Sequence, residues 1–219
     1  MNKFMNGSGN WFGAKWRASA IACCLLLLFG ATVVSAQSGT TPRGWILAGD
    51  HPQNYDTGVD KDVVYQGHPC AYLKPKPSAT EGFGTLMQRF DAAQFAGKRV
   101  RLSAWVKSEN VDDWAGLWMR VDSGTKSVAF DNMQNRAIKE TTGWRNYAVV
   151  LDVPKDATVI SFGILVSKSG TVWLNSAQFE TVGMDVPVTD MWAGGSGSLR
   201  QHTVPTNLNS VPTNLNFEE

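Results

Sequence analysis

The sequence predicts an all-β protein, an antiparallel β-sandwich of jelly-roll type, behind an N-terminal signal peptide. Three observations predict it. Short segments alternating apolar and polar side chains recur at regular spacing through the middle of the chain. Gly, Pro, Asn and Asp punctuate them, and no convincing amphipathic helical period intervenes. Before them stand a basic stretch, an apolar run and a small-residue cleavage pattern.

The leader comes first. Lys3, Lys15 and Arg17 precede the apolar run 18–34, and Val34-Ser35-Ala36 offers cleavage before Gln37. The run is close to spanning length, so an uncleaved anchor is the competing reading. Either way the rest of the chain is expected outside the cytoplasm, periplasmic or secreted. After cleavage it would have no membrane attachment. Residues 37–43 are a Ser/Thr/Gly linker. The sandwich is expected over 44–183. Its strands begin with 45–48, 63–66, 70–74 and 83–90, and residues 91–97 connect, with room for one helical turn. The clearest strand is 99–107, where Val100, Leu102, Ala104 and Val106 alternate with Arg101, Ser103, Trp105 and Lys107. A hairpin over 114–131 turns at Asp122-Ser123-Gly124. Strands 146–153, 158–167 and 171–181 follow, the last expected beside the first. Beyond it the composition changes. Residues 192–198 (WAGGSGS) are a linker, and 203–209 (TVPTNLN) repeats at once as 210–216 (SVPTNLN). Residues 184–219 are therefore expected to be a flexible tail, with 190–219 disordered and dispensable for folding.

Composition excludes some functions. The net charge is +1 and no basic cluster follows the leader, so phosphate-driven binding of nucleic acid is not supported. Beyond the leader only Cys70 remains, in a short strand, as a small buried hydrophobe without a disulfide partner. The histidines are His51, His68 and His202, two in Pro-flanked turns and one in the tail. No metalloprotease pattern and no Gly-x-Ser-x-Gly elbow occurs, so no catalytic residues and no cofactor are expected. Tryptophan is over-used, nine against four tyrosines, which points either to a Trp-rich core or to a sugar-stacking surface.

The stretches WVKSENVDDWAGLWMRVD, AFDNMQNR, TGWRNYAVVLDVPKDAT and TVWLNSAQFE resemble the galactose-binding-like β-sandwich, a superfamily with many carbohydrate-binding modules. The likeness covers about 44–182 and includes Gly143-Trp144-Arg145-Asn146-Tyr147 ahead of a strand. It extends to small bacterial proteins of uncertain function, some labelled transcriptional regulators. Such modules are also appended to cytoplasmic regulators of the arabinose-regulator type. No helix-turn-helix segment is visible here, so a DNA-binding role is not carried over. Asn214-Leu215-Asn216-Phe217-Glu218 resembles the opening strand of another such module. The resemblance also implies a structural calcium held near the first and last strands. Asn175-Ser176 stand where carboxylates would be expected, with Glu180 remaining, so no metal is expected.

The candidate site follows from strand parity. In 114–122, Ala115, Leu117, Met119 and Val121 face a core, and Trp114, Gly116, Trp118, Arg120 and Asp122 face away. Trp105 faces away on its own strand. Together Trp105, Trp118, Arg120 and Asp122 form a candidate face for a carbohydrate or similar polar ligand. Gln88, Asn132, Gln134 and Arg136 would complete it with directed hydrogen bonds. Two alternatives stand beside this. The tryptophans belong to the packing and Arg120 with Asp122 is a structural ion pair, or the aromatics anchor a protein partner in the envelope. Trp45, Trp144 and Trp173 are read as core or edge-covering residues.

Overall fold

The computed structural model describes residues 39–77, 81–192 and 205–219. The expected signal peptide, His202 and the Gly/Ser run after Trp192 lie outside the described residues. The described strands are β1 (Ile46–Gly49), β2 (Tyr55–Tyr65), β3 (His68–Pro75), β4 (Phe83–Asp91), β5 (Lys98–Ser123), β6 (Lys126–Asp131), β7 (Ile138–Val153), β8 (Val159–Ser167) and β9 (Thr171–Val182). Neighbours pair antiparallel in the order β1-β4-β8-β5-β9-β3-β2, with β6 and β7 also on β5. The fold is the expected all-β jelly-roll sandwich.

β5 belongs to both layers. Its first half pairs with β9 and β7, and its second half, from Trp114 to Asp122, pairs with β8. β6 joins the far end of that second half. The register on β7 slips at three places between Val106 and Ala115. Those irregularities bend the strand from one layer into the other. The polar string Ser108-Glu109-Asn110 conceals this continuity in the sequence. Asn110 adopts a φ of 52°, and Val111 still points into the core, fully buried. β2 likewise begins earlier than its turn-rich sequence implies. Tyr55 and Thr57 point inward, and Asp60 accepts the Asp62 and Val63 amides where the ladder shifts register. The connector after β4 is one short 3-10 turn, Ala92–Phe95, capped by the Asp91 carboxylate. The last strand is not beside the first: β9 lies between β5 and β3, and β1 pairs with β4.

The layers meet through aromatic rings. Phe179 of β9 packs edge-on against Phe90 of β4 and Phe162 of β8, at centroid distances of 5.1 and 4.8 Å. Trp45 continues the row, 5.4 Å from Phe162 and 5.1 Å from Phe217. The inward alternation of both halves of β5 supplies the aliphatic remainder.

Phe217 lies in the segment expected to be a loose tail, and the described parts of that segment are packed on the sandwich. Met191 donates its amide to the Phe130 carbonyl, and Thr189 exchanges hydrogen bonds with Val150. Farther on, Gln88 donates to the Thr213 carbonyl at 2.6 Å and accepts its amide at 3.1 Å. The Trp45 indole donates to the Asn214 carbonyl, and Ala177 donates to the Leu215 carbonyl. His68 Nδ1 meets the Glu218 carboxylate. Phe217 is 2% exposed, so one ring enters the core. Little apolar sequence is needed, because backbone carbonyls and Asn side chains make the attachment. The prolines remove no ladder donor, since the described part of the segment joins no strand ladder and forms only the isolated parallel bridge Phe90–Asn209. Phe217→Ala should therefore cost roughly 3–5 kcal/mol in urea unfolding, against about 0.5 kcal/mol or less for exposed Val211→Ala. Equal midpoints for the two variants would contradict the docking.

Candidate functional site

The outward face of β1, β4, β8, β5 and β6 carries a groove. Antiparallel registry arranges it in ranks across the strands. Phe83, Ser167 and Trp114 form one rank. Ala48, Thr85, Leu165 and Gly116 form the next. Ile46, Met87, Gly163 and Trp118 form the third. Arg89, Ser161, Arg120 and Phe130 form the fourth. Trp192 closes one wall, tilted on Phe130 at 5.0 Å, because Asp190 receives both the Phe130 and the Trp192 amides. The cavity measures about 600 Å³.

Two glycines shape it. A Cβ on Gly163 would stand 2.2 Å from the Leu86 carbonyl, so the backbones of β8 and β4 approach too closely for any side chain. Trp118 fills the space left and reaches across β8 to donate its indole N–H to Thr85 Oγ1 at 2.7 Å. A Cβ on Gly116 would stand 2.3 Å from the Asn132 carbonyl, so the loop after β6 lies directly over this strand. That contact brings Asn132 to the rim of the groove.

Of the residues expected to form the site, Trp118, Arg120 and Asn132 line the groove. Trp118 is 7% exposed with its N–H engaged internally, so it is floor rather than a free stacking platform. Asp122 is buried behind Arg120, accepting from its Nε and Nη2 at 3.2 and 2.9 Å and from the Ser127 hydroxyl at 2.7 Å. Its part is to hold a guanidinium. Gln88 sits on the opposite face of β4, inside the sandwich, holding the C-terminal segment. Arg136 pairs with buried Asp131 and donates to the Ala148 carbonyl. Gln134 is exposed on the 3-10 turn Gln134–Arg136, which is not among the groove's lining.

Trp105 and Trp118 do not share a patch. Both point outward from β5, but from halves in different layers. Trp105 stacks on Tyr65 at 4.9 Å, in a cluster with Cys70, Trp144 and Trp173. There Trp173 donates to Asp60 at 2.9 Å under the Lys107 ammonium. Burial raises the Asp60 carboxyl, but amide hydrogen bonds, the indole and Lys107 outweigh it and hold the group below its ordinary value. Cys70 is buried there, its thiol pushed up chiefly by desolvation.

Several groove residues escaped the sequence reading: Phe83, Thr85, Met87 and Arg89 of β4, with Trp114, Phe130, Leu165 and Trp192. Parity within β4 carried the signal, since Gln88 alternates with Met87 and Arg89. Trp114 shares the parity of Trp118. Nothing local marked Trp192, whose position depends on the Asp190 contacts.

Among the described residues, no group of three or more His, Cys, Asp and Glu side chains could hold a metal ion. No described helix is long and apolar enough to cross a membrane. The described helical elements are short 3-10 turns.

No protein-family model matches the chain. It is similar to a Bacillus subtilis (strain 168) protein named as an uncharacterised HTH-type transcriptional regulator, YbfP, with 44% identity over 179 residues. That match covers 81% of this chain, which spans 57% of the relative's length. Among solved structures, it is similar to the enzymatically active domain of bacteriophage CBA120 tailspike protein 4. That likeness has 16% identity, 64% of this chain and 20% of the other, with a TM-score of 0.50, and shows the fold alone. The CBM22-1 xylan-binding domain of Paenibacillus barcinonensis Xyn10C superposes with a TM-score of 0.46 at 19% identity, over 66% and 88% of the two chains.

The indole–hydroxyl contact supplies a direct check. Thr85 Oγ1 donates to the Ile164 carbonyl while accepting from Trp118. Thr85→Val leaves the buried indole N–H without its acceptor and should destabilise by about 1–3 kcal/mol in chemical denaturation, with altered tryptophan emission. An unchanged midpoint would show that the indole is not anchored there.

Proposed function

We propose that this chain is a non-catalytic binding module whose groove takes a carbohydrate or a similar polar ligand. One observation carries the reading. The outward face of one layer is a single concave groove walled by Trp114, Phe130 and Trp192, with Arg89, Arg120, Asn132 and Ser127 converging on it. Aromatic faces stack on the C–H faces of sugar rings, and directed polar groups fix the hydroxyls. The signal-like leader supports work outside the cytoplasm, in the periplasm or medium. A thermal-shift screen of the full chain against neutral and acidic envelope polysaccharides tests the reading. A ligand present at 100 times its Kd should add about 2.7 kcal/mol of stability. Trp114→Ala should lose most of that gain while melting near wild type without ligand. No stabilisation by any glycan, or equal stabilisation of Trp114→Ala, would sink the groove as a sugar site.

A second reading is an envelope interaction or sensor module that binds no sugar. The regulator name of the 44% identical relative favours a sensing role. The half-exposed rings of Trp105 and Trp144, packed on buried Tyr65, offer aromatic anchors for a protein partner. Pull-down from an envelope extract, comparing wild type with Trp144→Ala, separates the two readings. A partner lost on Trp144→Ala but retained by Trp114→Ala would favour the second.

A further inference from the structure

Among the described residues the charged side chains lining the groove are Arg89 and Arg120, and no carboxylate lines it. They are not scattered. β8 lies between their strands, and both pair in register with the same residue, Ser161. Strand parity sends Arg89, Ser161 and Arg120 to the same outward face, in one rank. Arg89 is exposed and forms no ion pair among the described residues. Arg120 is fixed through Nε and Nη2 by buried Asp122, which leaves the Nη1 edge of its planar fork for something else. Between them in the rank Ser161 is fully buried and is not itself among the groove's lining, and its hydroxyl has no hydrogen-bond partner among the described residues.

We infer that Arg89 and Arg120, flanking buried Ser161, form an anion subsite at one end of the groove, suited to the carboxylate of an acidic sugar residue. The inference rests on the carbohydrate reading and names the ligand class within it. A carboxylate between two guanidinium groups accepts charge-assisted hydrogen bonds from both, and a planar anion matches the planar forks. The sugar ring carrying it would lie toward Trp118 and Met87 in the adjacent rank, with Phe130 flanking Arg120 on the outer side. Asp122 neutralises part of the Arg120 charge, so Arg89 supplies the larger share of the attraction.

The test measures binding of the full chain to polygalacturonate, alginate and glucuronoxylan, each beside its carboxyl-reduced form, by calorimetry at low and high salt. At least one acidic polymer should bind ten times more tightly than its reduced form, and that preference should shrink with salt. Arg89→Ala should abolish the preference and Arg89→Lys should restore part of it, whereas Trp114→Ala should weaken acidic and reduced forms alike. Equal binding of acidic and reduced polymers, or a preference unchanged in Arg89→Ala, would overturn the subsite while leaving the groove reading intact. Arg89-dependent binding of dextran sulfate at least as tight as that of any uronate polymer would overturn the carboxylate assignment. Binding to no polysaccharide, acidic or neutral, would overturn both readings.

Discussion

One strand serving two layers is the constraint on which the rest of this structure depends. β5 is 26 residues long and passes through both layers, so its inward alternation builds the core twice. Val100, Leu102, Ala104 and Val106 enter from one layer, and Ala115, Leu117, Met119 and Val121 from the other. The outward alternation is divided by the same crossing. Trp105 faces one exterior of the sandwich and Trp118 the other. A period of two fixes the face of each side chain, and the bend between Val106 and Ala115 decides which exterior that face becomes.

The groove is a consequence of register on the second half. Pairing β4, β8 and β5 in step aligns residues of like parity, and glycine at 163 allows an indole to lie flat across the central strand. Burying Asp122 then requires a countercharge, and Arg120 supplies it from two residues away. An isolated buried carboxylate would be expensive, and the pair is arranged so that its positive member remains partly open to solvent. The ion pair thereby holds a guanidinium in place at low entropic cost to any ligand that uses it.

Much of this was legible along single strands. The all-β class, the alternation of 99–107 and 114–122 and the polar turns all follow from local periodicity. The opposition of core and outward faces on each half of β5 was visible too. What was not legible depended on pairing between distant segments. Trp105 and Trp118 each point away from the aliphatic set of their own half, yet no local signal shows that the polar string between them is a strand that changes layers. Gln88 fell on the wrong side of its strand because Met87 and Arg89 held the outward parity. The C-terminal segment looked too polar to fold. Phe217 becomes a core residue only because Trp45, Gln88 and Ala177 supply partners from three strands or strand ends.

The central claim is that β5 presents two separate exteriors and that ligand binds on the one built from its second half. Following indole N–H resonances during titration with a polysaccharide that stabilises the protein tests this most directly. The account predicts that the Trp114, Trp118 and Trp192 signals move together on one binding curve, while those of Trp105, Trp144 and Trp173 stay in place. Movement of the second set with the first unmoved would contradict it.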